Sequence, residues 1–188
     1  MSKLYFYYGT MNSGKTSNLL MTHYNLKCQQ KNVLLIKPIA DTRILSEQII
    51  KSRVGQFEYA HIILFPETTT LSIDLSTISF ILVDEAQFLS IDNVNMLRNI
   101  TYNITIICYG LKTDSNSNLF IGSKRLIEIS DSIKEIKSTC VNCNNKAIIN
   151  AKFKITENNK KEIIKYSECI IDIGAEEKYQ SMCWFCWN

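Results

Sequence analysis

Residues 4–20 read LYFYYGTMNSGKTSNLL, an apolar run that leads into a glycine-rich loop and then into a helical pattern. The loop matches G-x-x-x-x-G-K-[ST] in full, which is typical of phosphate-binding loops. Glycine permits a tight backbone path that points N–H groups at phosphate oxygens, and the following helix adds its positive end. The residues that we expect to bind phosphate are Gly9, Thr10, Met11, Asn12, Ser13, Gly14, Lys15 and Thr16.

The pattern around this loop predicts a parallel α/β sheet of the P-loop NTPase type. Continuous apolar runs are typical of strands that are covered on both faces. The predicted strands are Leu4–Tyr8, Val33–Ile36, Ile78–Val83 and Ile104–Tyr109. A helix is predicted over Lys15–Gln30, with Leu20, Tyr24 and Cys28 on one face. The order strand, loop, helix, strand is a βαβ unit, which argues against a chance Gly-Lys-Thr match.

The chain changes in character near Ser138. Before this point we predict a helix over 124–136, with Ser123 as its N-cap. Beyond Cys140 apolar and polar residues alternate, and Asn158-Asn159 stands between two segments as a hairpin turn would. We therefore expect a P-loop domain over residues 1–138 and a small lobe over residues 139–188.

Two carboxylates follow the third predicted strand directly. In P-loop proteins an acid at this position holds Mg²⁺, directly or through water, and the Thr16 hydroxyl supplies another ligand. Asp84 fits the metal role, which leaves Glu85 free to act as a base. Such a base activates water in an ATPase or accepts a hydroxyl proton in a kinase, and the pair alone does not separate these outcomes. A solvated acidic pair at a strand end is the non-catalytic alternative.

Four of the seven cysteines form two C-x-x-C pairs, Cys140/Cys143 and Cys183/Cys186. Two such pairs predict a tetrahedral zinc site, and four protein ligands leave no open position, so the zinc would be structural. A redox dithiol and buried free thiols are alternatives that the second pair makes weaker. For the remaining cysteines we expect core packing: Cys28, Cys108 and Cys169. We predict structural roles for His23 and His61.

The bulk composition excludes several classes of protein. Apolar residues make up 46% of the chain, which is enough for a core, and the formal net charge is only +3. A concentrated basic face, typical of nucleic-acid binding, is absent from the sequence. We also expect no secretory leader, because the apolar start is short and runs directly into the glycine-rich loop. No apolar run approaches the ~20 residues that span a membrane. We expect a cytoplasmic protein with no nucleic-acid or membrane partner.

Together the loop, the acidic pair and the cysteine pairs resemble the type II, or cellular-type, thymidine kinase family. The similarity extends from about Leu4 to Cys186. Other blocks that resemble family motifs are KPIADTR (37–43), DEAQF (84–88), the lasso that closes over the nucleoside (109–124) and GAEEKY (174–179).

The resemblance implies an activity, a set of partners and residue roles. The reaction would transfer the γ-phosphoryl group of ATP to the 5′-hydroxyl of thymidine, with deoxyuridine as a further possible substrate, in nucleotide salvage for DNA synthesis. Glu85 would be the general base. The resemblance also implies Mg²⁺ with ATP, structural Zn²⁺, a homotetramer and feedback inhibition by thymidine triphosphate. The implied ATP site adds Asp84, Glu85, Ala86 and Gln87 to the loop. The implied Mg-linked residues are Thr16, Asp84, Asp41 and Arg43, and the implied nucleoside-binding residues are Met11, Phe88, Phe120, Ile171, Ile173 and Tyr179.

The lasso departs from the family pattern. The family usually has an aromatic residue, a basic residue and a glycine where this chain has Ser115–Asn118, and proline where it has Ile121. Because this polar stretch offers little to bury, we expect residues 113–121 to be mobile without ligand and Phe120 to be their apolar anchor.

Two other functions compete with a nucleoside kinase. The first is a nucleic-acid-dependent ATPase with a zinc ribbon, which the short chain and the weak basicity disfavour. The second is a zinc-stabilised structural protein with a decayed active site. The residues of the active site that argue against decay are all intact: Gly9, Gly14, Lys15, Thr16, Asp84 and Glu85.

Overall fold

The computed structural model describes residues 3–39, 48–158, 160–165 and 178–188. Its strands are β1 (Leu4–Tyr8), β2 (Val33–Pro38), β3 (Ile49–Lys51), β4 (Phe57–Tyr59), β5 (Ile62–Leu64), β6 (Phe80–Val83), β7 (Thr105–Gly110), β8 (Ser132–Glu135), β9 (Ile149–Ile155), β10 (Lys161–Ile164) and β11 (Tyr179–Met182). Its helices are α1 (Lys15–Cys28), α2 (Ile91–Ile100), α3 (Ile121–Ile129) and the short α4 (Trp184–Trp187).

The centre of the molecule is a six-stranded sheet in the order β5-β2-β6-β7-β1-β8. Every pairing in it is parallel. Alternate residues along each strand face opposite sides, so Ile81 and Val83 enter one apolar core while Leu82 enters another. Helix α1 covers the second core, and α2 and α3 cover the first. The predicted α/β fold and its four strands are confirmed.

Helix α1 confirms the predicted element but not its predicted face. Its buried residues are Leu19, Leu20 and His23, whereas Tyr24 is 65% exposed and Cys28 is also exposed. Steps of four residues drift by about 40° each on a helix of 3.6 residues per turn, so the stripe that begins at Leu20 turns away from the sheet. The prediction that Cys28 packs in the core was therefore wrong.

The predicted helix over 124–136 was wrong in both bounds. Helix α3 begins at Ile121 after Phe120 as N-cap and ends at Ile129, and Ile133 lies on β8. The helix ends because the following residues pair in parallel with β1, and Asp131 accepts a hydrogen bond from the Leu4 N–H at 2.8 Å. Isoleucines spaced as on a helix face are therefore divided between a helix and an edge strand.

Three other structural expectations are resolved by burial and contacts. Ser123 is not the N-cap of α3, because its side chain is buried and its hydroxyl donates to the Leu111 carbonyl at 2.6 Å. Cys108 is fully buried, as predicted. His61 accepts a hydrogen bond from the Leu35 N–H at 2.8 Å and His23 is buried, which confirms their structural roles.

The residues after Cys140 form an antiparallel sheet in the order β10-β9-β11. The predicted hairpin is confirmed as β9 and β10, with Asn158 between them. The core of this lobe consists of Cys140, Ile149, Ala151, Met182, Cys183 and Trp187. Within the ranges that the structure describes, every helix is too short or too polar to cross a membrane.

Candidate active site

The phosphate-binding loop leaves the carboxyl end of β1 and enters α1. Its two left-handed residues are Asn12, with φ of 62°, and Gly14, with φ of 83°. The second is the N-cap of α1, where glycine has no steric cost. The Lys15 ammonium folds back over the loop and donates to the Thr10 carbonyl at 2.9 Å. The loop therefore has a backbone path that can surround an anion at a helix N-terminus.

The carboxylate of Asp84 lies at the end of β6, next to this loop. The Thr16 hydroxyl is 3.3 Å from each Asp84 carboxylate oxygen. Asp84 is only 4% exposed, and burial together with the negative charge of Glu85 raises its pKa to about 7, while Lys37 and Lys15 act in the opposite direction. A hard divalent cation bound between these oxygens would favour the ionised carboxylate, so the donor set fits Mg²⁺.

Glu85 has an unusual backbone conformation. Its φ is 51°, in the left-handed region that non-glycine residues seldom adopt, and such residues are concentrated at functional sites. The conformation turns the chain sharply between β6 and the short 3₁₀ turn at Ala86–Phe88. Gln87 donates a hydrogen bond from its Nε2 to the Glu85 carboxylate. Its Oε1 accepts a hydrogen bond from the Leu111 N–H at 2.9 Å. The acidic pair is thereby connected to the beginning of the lasso.

The two aromatic residues predicted for the nucleoside pocket contact each other. The rings of Phe88 and Phe120 are edge to face, with centroids 5.9 Å apart. Their spacing depends on the packing of α3 against the turn that carries Phe88. A Cβ added to Gly122 would lie 2.5 Å from the Leu89 carbonyl oxygen and 2.8 Å from that of Ala86.

Replacing Gly122 with alanine is therefore expected to push α3 away from this turn. Backbone atoms cannot move aside cheaply, so we expect a loss of stability of about 1–3 kcal/mol, typical of overpacking. If the two rings line the nucleoside pocket that the resemblance implies, their separation should also raise the KM for the nucleoside. Thermal melting and thymidine titration of the variant test this. A variant with wild-type melting and KM would contradict the packing argument.

The polar part of the lasso does not have the structure that its composition suggested. Asp114 Oδ1 accepts the N–H groups of Asn116 and Asn118, each at 2.9 Å, and an isolated bridge joins Thr113 to Leu119. Ser115 is only 2% exposed. The expectation that this stretch offers little to bury was therefore wrong for Ser115, because the aspartate closes a compact turn that packs this residue inside. The mobility of residues 113–121 without ligand stays a prediction.

The four paired cysteines lie together, with all their sulfurs within 4.8 Å of one another. The Cys143 sulfur is 3.6 Å from that of Cys183 and 3.6 Å from that of Cys186. Tetrahedral zinc, with Zn–S bonds of about 2.3 Å, requires sulfurs about 3.8 Å apart. The cluster therefore fits the predicted structural zinc site.

The ionisation of these thiols also suits a metal site. Burial opposes ionisation of Cys140, but backbone N–H groups of Cys183, Asn142 and Cys143 outweigh it and lower its pKa to about 6. Hydrogen bonds with the neighbouring thiols of Cys143 and Cys183 raise the pKa of Cys186 to about 12. Without a metal ion, the thiols therefore differ in how readily they ionise. A bound zinc ion would hold all four cysteine ligands as thiolates.

The remaining predicted site residues are only partly described. Tyr179 begins β11, opposite Lys152 of β9. Met11 lies within the phosphate loop. Its N–H donates a hydrogen bond to the Asn150 side chain at 2.8 Å, and its carbonyl accepts one from the Ser181 hydroxyl. Neither contact could be inferred from a local pattern in the sequence. Four predictions lie outside the described residues: Asp41, Arg43, Ile171 and Ile173. The same is true of Cys169.

Comparison with known proteins agrees with this arrangement. The family model "Thymidine kinase" matches residues 2–187. The thymidine kinase of Zymomonas mobilis is 39% identical, covering 97% of this chain and 94% of that protein. The thymidine kinases of Haemophilus influenzae and Encephalitozoon cuniculi are 37% and 35% identical, covering 97% and 95% of this chain and 94% and 83% of those proteins. These matches confirm the resemblance seen in the sequence, and the chain belongs to the thymidine kinase family.

Proposed function

We propose that this chain transfers the γ-phosphoryl group of ATP to the 5′-hydroxyl of thymidine in nucleotide salvage for DNA synthesis, with Glu85 as general base. Family membership makes the chain an ATP-dependent thymidine kinase. The observation that carries the residue assignment is the contact of Thr16 with Asp84, which brings the acidic pair to the phosphate loop. A base next to the donor phosphates can take the hydroxyl proton as the new P–O bond forms.

The phosphate loop has a binding role in this proposal. Its N–H groups and Lys15 would hold the β- and γ-phosphates, and Ala86 and Gln87 would complete the ATP side of the site. Thr16 and Asp84 would hold Mg²⁺, which supplies positive charge to the phosphate oxygens when it is bound. We extend the Mg-linked role to Asp41 and Arg43 on the basis of the KPIADTR motif.

The nucleoside would lie between the phosphate loop and the lasso. The contact between Phe88 and Phe120 supports a pocket wall beside the acidic pair. Met11 would pack near the base, and Tyr179, with Ile171 and Ile173, would complete the pocket. Backbone groups of the lasso would bind the edge of the pyrimidine, because N–H and C=O groups can pair with it whatever the side chains.

We also propose a division between residues 1–138, which carry the chemistry, and residues 139–188, which carry structural Zn²⁺ and part of the nucleoside site. The separate core of the second lobe supports this division. The zinc would act only structurally, because all four of its positions are filled by cysteine.

The assembly and regulation implied by the family complete the proposal. We propose a cytoplasmic homotetramer on the basis of the family resemblance. Exposed apolar side chains on α1 and on the β3–β4 hairpin would suit a contact between subunits: Met21, Tyr24, Phe57 and Tyr59. Light scattering of the purified protein tests this, and a monomer at micromolar concentration would contradict it. Thymidine triphosphate is proposed as the feedback inhibitor.

Product analysis tests the reaction most directly. The chain is incubated with ATP and Mg²⁺, and with each deoxynucleoside or a polynucleotide in turn. We expect ADP to appear with thymidine, together with equimolar thymidine monophosphate, and to a smaller extent with deoxyuridine. ATP hydrolysis that depends on polynucleotide and not on thymidine would support the competing ATPase instead.

A further inference from the structure

The C-terminal lobe contacts the phosphate loop at one peptide group. The N–H of Met11 donates to Asn150 Oδ1 at 2.8 Å, and the Met11 carbonyl accepts a hydrogen bond from the Ser181 hydroxyl. Asn150 and Ser181 lie directly opposite each other in the antiparallel pair of β9 and β11. Side chains at opposite positions share a face of the sheet, so the two residues hold Met11 from one side.

Asn150 also contacts the lasso. Its Nδ2 donates to the Thr113 carbonyl at 3.0 Å, in a bond that is buried. Both partners are backbone groups with only one possible role, a donor at Met11 and an acceptor at Thr113. They therefore determine which end of the amide faces each of them. Among the side chains of a similar size, only asparagine offers a donor and an acceptor in this arrangement.

We propose that Asn150 is a positioning residue that couples the lasso to the phosphate loop, and through them nucleoside binding to ATP binding. This inference rests on the proposed function. When the lasso closes on the nucleoside, the Thr113 carbonyl is held in place. The Asn150 amide is then held as well, together with the Met11 N–H, so the loop meets ATP already ordered. Asn150 is 3% exposed, so water does not replace either bond when it is lost.

Asn150→Asp is the variant that separates the two contacts. Binding is measured above neutral pH, because burial favours the protonated carboxyl, which would keep a donor. The ionised carboxylate is nearly isosteric and still accepts a hydrogen bond from the Met11 N–H, but it has no donor for the Thr113 carbonyl and repels it. Ser181→Ala is the complementary variant, since it removes one Met11 contact and leaves the lasso contact intact. Asn144→Asp is the matched control, because it introduces the same charge at an exposed position of the same lobe.

The measurement is the affinity for a β,γ-imido analogue of ATP with Mg²⁺, determined with and without saturating thymidine. In the wild type we expect thymidine to tighten this binding by about tenfold, within the usual range of coupling between sites. In Asn150→Asp the ratio of the affinity with thymidine to the affinity without it should fall to about one. Ser181→Ala should weaken the binding of the ATP analogue in both conditions and leave this ratio unchanged. Asn144→Asp should behave as the wild type.

An unchanged ratio in folded Asn150→Asp would overturn the proposal. If that variant does not fold, amide hydrogen exchange of the wild type replaces it. The Met11 amide should exchange more slowly with thymidine than without, and equal rates would overturn the proposal. Failure of this proposal can be distinguished from failure of the proposed function. Wild-type protein that forms no ADP in response to thymidine would disprove the proposed function itself.

Discussion

Replacing Glu85 with glutamine is expected to lower kcat by about 10²–10⁴-fold, the usual contribution of a general base. The change keeps the size of the side chain, and an amide oxygen can still accept the hydrogen bond from Gln87. We therefore expect the melting temperature and the affinity for ATP to remain close to those of the wild type. The amide cannot accept the proton of the thymidine hydroxyl, so only turnover should fall.

Single-turnover measurements at saturating ATP and thymidine test this expectation. Glu67→Gln is the matched control, because it makes the same change on an exposed residue of a different segment. The control should keep full turnover. If Glu85→Gln also kept near-normal turnover, Glu85 would not be the base, and another group would have to accept the hydroxyl proton.

Replacing Cys183 with serine is expected to abolish zinc binding and to unfold the C-terminal lobe. Structural zinc in zinc-finger peptides contributes about 10–16 kcal/mol of binding free energy, and because a preformed site is absent from the unfolded chain, this is also folding free energy. The core of this lobe contains Cys140 and Cys183 themselves, so the ligands and the packing are lost together. Because the same lobe carries Asn150 and Ser181, the affinity for ATP should fall as well.

Metal analysis and thermal melting of the two proteins check this prediction. Wild type should contain one zinc ion per chain, and Cys183→Ser should contain none and melt at a lower temperature. The control is Cys28→Ser, since Cys28 is exposed and lies outside the cluster. Wild-type protein that contains no zinc, and whose melting is unchanged by a chelator, would contradict the structural metal site.

Features that depend on a short stretch of neighbouring residues could be predicted from the sequence. The four predicted strands of the central sheet are mostly apolar because both of their faces are covered, and the phosphate loop requires its glycines and lysine at defined positions. The four-cysteine cluster was also predictable, since two C-x-x-C pairs have few other uses. These features depend on short segments, so their spacing along the chain is sufficient evidence.

Features that depend on distant partners were missed or assigned wrongly. The isoleucines at 129, 133 and 136 have helical spacing, but only Ile129 lies in α3, and the pairing of β8 with β1 places Ile133 on a strand. Helix α2 was missed, although Ser90 and Asn93 form a reciprocal capping pair at its start, because asparagine replaces the usual Glu or Gln. Asn150 carries no local signal at all, since its partners are 139 and 37 residues away.

The hydrogen bonds to Met11 have a consequence for the order of events during synthesis of the chain. Ser181 bonds to a residue 170 positions earlier, so the ribosome must add all of the intervening residues first. At about 5–20 residues per second, this takes roughly ten to thirty seconds. The phosphate loop lacks each of its two contacts with the C-terminal lobe until Asn150 and then Ser181 have been made. The surroundings of the phosphate loop are therefore completed only after β11 has been made, well after the loop itself.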